Sequence, residues 1–196
     1  MSHEDPEGAT PFNSDGLILA NIETLEQLFI AEARNISKAT LKYLATAPSK
    51  RVAPFTREWA YRLHKEMFGE VWAWAGKRRT TQTNIGAPPH EIDSRLKDLF
   101  DDLTEWQKHN TYPLLEQAAR LHHRAVHIHP FNNGNGRWAR LLANILMKRF
   151  GSVPVAWLEA DITKQSAARA EYLSAIRAAD TQDYALLIKL HKRYLK

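Results

Sequence analysis

The apolar residues of this chain recur mostly at steps of three and four, the spacing that places them on one face of an α-helix. Ile22, Leu25, Phe29, Ala33, Ile36, Thr40 and Leu44 make the first such stripe, which Pro48 prevents from continuing. A second helix is expected after Pro54, with Trp59 or Ala60, Leu63 and Met67 inward. Ile92, Leu96, Leu99, Leu103 and Trp106 form another stripe, and Leu114, Ala118, Leu121, Ala125 and Ile128 a regular four-three-four-three one. Three more follow: Trp138, Leu141, Leu142, Ile145 and Leu146, then Ala167, Ala170, Leu173 and Ile176, then Tyr184, Leu187, Ile188, His191 and Leu195. One stretch breaks the rhythm. After the aromatic run Phe68 to Trp74 and Gly76, Lys77 to Pro89 (KRRTTQTNIGAPP) loses the helical period and gains Thr, Gly and Pro, which predicts a short β-hairpin or extended flap. The pattern as a whole predicts an all-α fold with one β excursion.

Composition narrows this picture. A chain of 196 residues, 44% of them hydrophobic, is long enough for one sizeable core and short for two. Residues 1–20 read as an N-terminal extension and 21–196 as the single domain. Lys and Arg total 27 against 22 Asp and Glu, a net charge of +5 that suits an anionic partner without specifying nucleic acid. Cysteine is absent, so disulfides, thiolate metal sites and cysteine nucleophiles are excluded. Met1 to Gly8 (MSHEDPEG) is polar and acidic where a secretory signal would be basic and then apolar. No segment offers the roughly 18 apolar residues of a membrane span. A cytoplasmic, soluble protein is the expectation.

The chemistry concentrates in His127 to Arg140, HIHPFNNGNGRWAR. Gly134-Asn135-Gly136 precedes a helical pattern, and glycine permits the backbone conformations in which successive N–H groups face one concavity, an anion nest at a helix N-terminus. Arg137 and Arg140 share one face of the first turn, where the helix dipole is already positive, so something negative must answer them. Paired guanidiniums beside such a nest suit a phosphorylated ligand, and a polyphosphate would use both. His129, at the end of the preceding helix, has an imidazole suited to take a proton from an incoming hydroxyl. Pro130 would help stop that helix and Phe131 would anchor the loop in the core. Taken singly, Gly-Asn-Gly is often a turn, exposed arginines usually only solvate and a lone histidine is more often packing. Their joint spacing carries the reading. A rival uses the histidines themselves: His123 and His127 have the i, i+4 spacing of a helical metal pair, with His122 and His129 nearby. The Glu of H-E-x-x-H is missing and no carboxylate lies within the stretch. Walker-type loops, G-x-S-x-G elbows and zinc-finger spacings do not occur elsewhere.

His129 to Arg140 (HPFNNGNGRWAR) resembles the motif H-x-F-x-[D/E]-G-N-[G/K]-R-x-x-R of the Fic (Fido) family. Trp72 to Arg79 (WAWAGKRR) and Tyr172 to Leu187 (YLSAIRAADTQDYALL) extend the resemblance, so the family core would run from about residue 55 to about residue 190. Glu7 to Pro11 (EGATP), Met67 to Trp74 (MFGEVWAW) and Asn84-Ile85-Gly86 resemble, more narrowly, the subgroup called mobile mystery protein B. The resemblance implies a helical fold that transfers AMP from ATP, with Mg²⁺, to a Ser, Thr or Tyr hydroxyl of a target protein. It implies His129 as general base, Gly134, Asn135 and Gly136 as the anion hole, and Arg137 and Arg140 on the distal phosphates. Within the flap, Thr80, Thr81, Gln82, Thr83, Asn84, Ile85 and Gly86 would dock a target segment by main-chain pairing.

One position departs: Asn133 stands where the family has a metal-binding Asp or Glu, so Mg²⁺ would meet a neutral oxygen. Gly136, rather than Lys, points away from a kinase-like branch. The inhibitory motif [S/T]-x-x-x-E-[G/N] is absent, because no Ser or Thr is followed by Glu at the fourth position. Regulation, if any, would then come from a separate partner or from weak intrinsic activity, and a helix-turn-helix or antitoxin protein is the analogy the subgroup offers. Two alternatives stay open. One keeps the ATP site but performs other phosphotransfer or removes AMP. The other is a non-catalytic anion- or nucleic-acid-binding module resting on Lys77-Arg78-Arg79 and Lys192-Arg193, disfavoured because short basic clusters are common on solvated faces.

Overall fold

Thr24 opens the first helix with a capping box: its hydroxyl accepts from the Gln27 N–H at 3.2 Å while the Gln27 side chain accepts from the Thr24 N–H at 3.1 Å. The computed structural model describes residues 15–157, 162 and 166–195; the head segment Glu7 to Pro11 lies outside them. Helix α1 (Leu25–Leu44) is followed by α2 (Arg57–Phe68), which Thr56 caps through the Trp59 N–H. A single 3₁₀ turn (Pro89–Glu91) leads into α3 (Ile92–His109), then come α4 (Leu114–Ile128) and α5 (Asn135–Arg149). Ser166 caps α6 (Ala167–Asp180), and α7 (Ala185–Arg193) follows. The described residues thus form seven α-helices, and none is long and apolar enough to cross a membrane.

Helices α4 and α5 form the centre. Helix α4 packs against α3, α5, α6 and α7, while α5 also meets α1 and α2. Every residue of α5 from Trp138 to Met147 is buried, including Arg140 and Asn144, so it is enclosed on all sides. Trp59, Leu63, Met67, Leu96, Leu99, Leu121, Trp138 and Leu142 lie in one continuous core, as their spacing predicts. Because the loop between α4 and α5 emerges from this packed pair, its ends are fixed by the core itself.

The structure corrects the sequence reading at three places. The expected β-hairpin is absent: among the described residues the only β pairings are isolated bridges, Leu17 with Trp72 and Val155 with Leu195. Residues 77–89 instead run as an extended loop. The buried face of α1 is not the apolar stripe but Leu28, Glu32, Asn35, Ala39 and Tyr43, leaving Leu25 and Phe29 exposed. Two polar residues point inward there because the core supplies their hydrogen bonds. The Asn35 amide donates to the Glu66 carbonyl at 2.8 Å and accepts from the Glu70 N–H at 2.9 Å, tying α1 to the end of α2. In α6 the inward residues are Tyr172, Ala175 and Ala179, whereas Ala167 and Ala170 are exposed.

The Asn35 clamp makes a stability prediction. Asn35→Ala removes both bonds and will cost about 1–3 kcal/mol, read as a lower urea midpoint with an unchanged denaturant slope.

Candidate functional site

Helix α4 stops at His129, which adopts a left-handed conformation (φ 52°, ψ 59°) while its N–H closes the last turn on the Ala125 carbonyl at 3.2 Å. The loop then dives inward: Phe131 is fully buried, stacked on the His64 imidazole with ring centres 3.6 Å apart and edge-on to Trp138 at 5.2 Å. Asn135 closes the loop from the other side. Its Oδ1 accepts from the Phe131 N–H at 2.9 Å and its Nδ2 donates to the Phe131 carbonyl at 2.8 Å. Gly134, the N-cap of α5, has φ 79°, and a Cβ there would sit 2.6 Å from the Phe68 ring. Only glycine fits both constraints.

His64 sets the height of the loop. Its Nδ1 accepts from the Gly76 N–H at 3.0 Å, which leaves Nε2–H to donate to the Asn133 carbonyl at 3.0 Å. Burial lowers its pKa to about 3, so the ring stays neutral with one donor and one acceptor. The Asn133 side chain turns back on the loop, its Oδ1 accepting from the Gly134 N–H at 2.6 Å.

His129 is buried and its pKa is lowered to about 4, chiefly by desolvation and next by the Arg79 charge. The Val126 carbonyl offsets this only in part, and Nδ1, sealed from solvent, closes no hydrogen bond. The imidazole is therefore neutral at pH 7 and able to accept a proton.

The two motif arginines turn toward different elements. The Arg137 Nη1 donates to Glu32 Oε2 of α1 at 2.6 Å, and its guanidinium lies 4.8 Å from the Phe68 ring centre. Glu32, buried, accepts from Trp72 Nε1 at 2.7 Å through its other oxygen. Arg140, also buried, lies over the Tyr172 ring of α6 at 5.6 Å. Its Nη1 would be 3.2 Å from a Cβ at Gly136, so the guanidinium folds back along the first turn of α5.

Residues 77–89 cover His129, with Arg79 holding them. This residue is 1% exposed; its backbone N–H bonds the Pro130 carbonyl at 2.9 Å. Its guanidinium donates to the carbonyls of His129 at 2.6 Å, Thr81 at 2.9 Å and Ala87. The Ala87 N–H bonds the Ile128 carbonyl at 3.2 Å, and Gly86 (φ 103°) passes so close that a Cβ would lie 2.5 Å from the His129 Cβ. Thr80, Thr81, Gln82, Asn84 and Ile85 are exposed, Thr83 and Gly86 half-buried.

The structure thus brings His129, Phe131, Asn133, Gly134, Asn135, Gly136, Arg137, Arg140 and the 80–86 loop into one neighbourhood. Sequence reasoning missed His64 and Glu32, and it counted Arg79 as part of a basic cluster. His64 was within reach, since it adjoins Leu63 and precedes Met67 by three on the inward face of α2; Glu32 gave no signal, because its partners lie 40 and 105 residues away. The arginines of the basic clusters are answered internally: Arg79 is buried, Arg78 lies 3.4 Å from Asp93, and Arg193 pairs with Glu171 at 2.7 Å.

The same arrangement of helices recurs in known proteins. The sequence profile of the Fic/DOC family matches residues 54–147, just under half of the chain. The protein adenylyltransferase fic-1 of Caenorhabditis elegans is 38% identical over 126 residues, covering 62% of this chain and 23% of its own length. The chain spans about a quarter of the length of such curated relatives. A structure of C. elegans Fic-1 (residues 134–508) superposes with a TM-score of 0.67 at 27% identity, covering 90% of this chain and 51% of that one. BepC of Bartonella tribocorum, solved with bound AMPPNP, gives a TM-score of 0.68 at 18% identity, covering 96% and 93%.

The loop lock is testable. Asn135→Ala leaves the buried Phe131 N–H and carbonyl without their partner and will lower stability by about 2–4 kcal/mol in thermal unfolding, and Asn135→Asp, which keeps the acceptor but sets a carboxylate oxygen against the Phe131 carbonyl, will not restore it.

Proposed function

We propose that this chain is a Fic-type protein adenylyltransferase, which moves AMP from ATP to a Ser, Thr or Tyr hydroxyl of a target protein. One juxtaposition carries the reading: a buried neutral imidazole, His129, at one end of a pinned loop, and at the other a glycine-capped helix N-terminus with Arg140 folded along it. The curated relatives named protein adenylyltransferase and the AMPPNP bound in BepC support it.

The first-turn N–H groups of α5 have no intrahelical acceptors, so Asn135 and Gly136 present donors and a positive dipole to the phosphates, while the Gly134 N–H, held by Asn133 Oδ1, would join them only by opening that bond. Arg137 and Arg140 hold the distal phosphates. His129 accepts the proton of the target hydroxyl as that oxygen bonds the α-phosphorus; the bond from this phosphorus to its bridging oxygen breaks, and pyrophosphate leaves with the electron pair. Phosphate charge beside His129 offsets Arg79 and raises the basicity of the imidazole. The exposed loop 80–86, adjacent to His129, supplies the main-chain groups that align the target segment.

Magnesium would arrive with the nucleotide, and the chain serves it poorly. Position 133 carries an amide whose oxygen is already taken by the Gly134 N–H, where the ion prefers a carboxylate. Arginines and N–H groups therefore meet the phosphate charge. The narrower likeness to mobile mystery protein B extends the proposal to a separate helix-turn-helix or antitoxin-like partner, which co-purification would reveal.

With ATP labelled at the α-phosphate and a cell lysate, the protein will label a target, and His129→Ala will cut the rate by about 10²–10⁴ while leaving ATP binding in place. The mass added to the target separates adenylyl from phosphoryl transfer. Absence of both labelling and ATP binding with the unaltered chain would overturn the proposal. Asn133→Asp, nearly isosteric and still able to accept from Gly134, will raise Mg²⁺-dependent transfer; an unchanged rate across a Mg²⁺ titration would show that position 133 takes no part.

A further inference from the structure

On the far side of α4, the structure supplies what the sequence stretch lacked. His123 and His127 lie one turn apart on α4, and Asp180, the last residue of α6, reaches them from a distant part of the chain. Its Oδ1 is 2.8 Å from His123 Nε2 and 3.3 Å from His127 Nδ1, and one ligand atom from each of the three lies within 4.8 Å of the others. We infer that His123, His127 and Asp180 form a binding site for a divalent transition-metal ion of the zinc type, joining α4 to α6.

The distances suit the chemistry. Donors bonded to one ion at about 2.0–2.1 Å, at tetrahedral or octahedral angles, stand about 2.9–3.4 Å apart. The two Asp180 separations already lie close to this range, and the two imidazoles, within 4.8 Å of each other, need at most a side-chain adjustment to meet it. Two imidazoles and a carboxylate are borderline ligands that favour Zn²⁺, Co²⁺ or Ni²⁺ over Mg²⁺. His123 Nε2–H donates to Asp180 Oδ1 at 2.8 Å and the Tyr184 hydroxyl, 3.4 Å from Nδ1, donates to that nitrogen; with a metal on Nε2 the ring proton would move to Nδ1 and the same hydroxyl would accept it.

Charge and access also agree. The site sits at the C-terminal ends of both α4 and α6, where two helix dipoles favour a cation. The arginines lining the adjoining cavity are engaged elsewhere: Arg95 with Glu91 at 2.7 Å, Arg120 with Glu116 at 2.7 Å and Arg124 with Asp102 at 2.6 Å. The His123 side chain is 5% exposed but those of His127 and Asp180 are 54% and 44% exposed, so the pocket has a buried anchor and an open side. Coordination positions beyond the three ligands face a cavity of about 670 Å³ and are open to water.

The test uses the full, untagged chain stripped of metal. Isothermal titration with Zn²⁺, and the visible absorption of Co²⁺, will show uptake of one equivalent. His127→Gln and Asp180→Asn, both at half-exposed side chains, will each weaken binding at least about tenfold with helicity unchanged by circular dichroism. His90→Gln and His109→Gln, at exposed histidines outside the cluster, will leave it intact. No stoichiometric uptake, equal uptake by the cluster variants, or loss of uptake in the two control variants would each overturn the inference. The outcome is independent of nucleotide transfer, since no step of that proposal uses these residues.

Discussion

A guanidinium removed from water must find acceptors, and the burial of Arg79 shapes the ground around His129. Its donors reach three carbonyls from two segments: Thr81 and Ala87 on the covering loop, and His129 just past the end of α4. The α4 dipole favours a cation at that end. A side chain therefore does what a hairpin ladder would have done, holding residues 77–89 over the histidine without a strand. The same charge adds to desolvation, the larger cause, in lowering the His129 pKa. Lysine, a point charge without a planar fork, cannot reach all three acceptors at once. One buried cation thus fixes the loop path and contributes to the proton state beside it.

That dependence explains which parts of the molecule were legible in the sequence. Helices α2 to α5 and α7 were readable because their inward faces are apolar at helical spacing, and the motif was readable because its residues are contiguous. What failed were features made by polar residues finding distant partners. Glu32 and Asn35 rotate the buried face of α1 away from Leu25 and Phe29, since the hydrogen bonds they make with Trp72, Arg137, Glu66 and Glu70 outweigh the exposure of a few apolar side chains. Periodicity counts Glu and Asn as outward whatever their partners. The flap failed for a related reason: Thr, Gly and Pro signal an irregular extended path, and strand pairing was only one way to satisfy it. Asp180 lies outside the histidine stretch, so the carboxylate absent there could be supplied only by the packing of α6 on α4.

The buried Glu32 has a consequence for any anion. Its carboxylate neutralises Arg137 at 2.6 Å and is itself fixed by Trp72. A phosphate approaching Arg137 must share that guanidinium with a carboxylate already in place. Arg140 faces another element, over the Tyr172 ring of α6, so two arginines that look equivalent in the motif have different surroundings in the fold.

Position 133 completes that balance. With a carboxylate there, the loop would place a negative charge beside the anion nest and would require a cation to bring phosphates close. Asparagine removes the charge yet keeps the bond that shapes the turn, from the Gly134 N–H to the side-chain oxygen. The formal charges of the motif residues are those of Arg137, partly cancelled by Glu32, and Arg140, with Arg79 just behind His129. Under the proposed function, the amide at 133 would weaken the hold on a metal while leaving these cations in place, so that anion binding and metal binding would be separable properties.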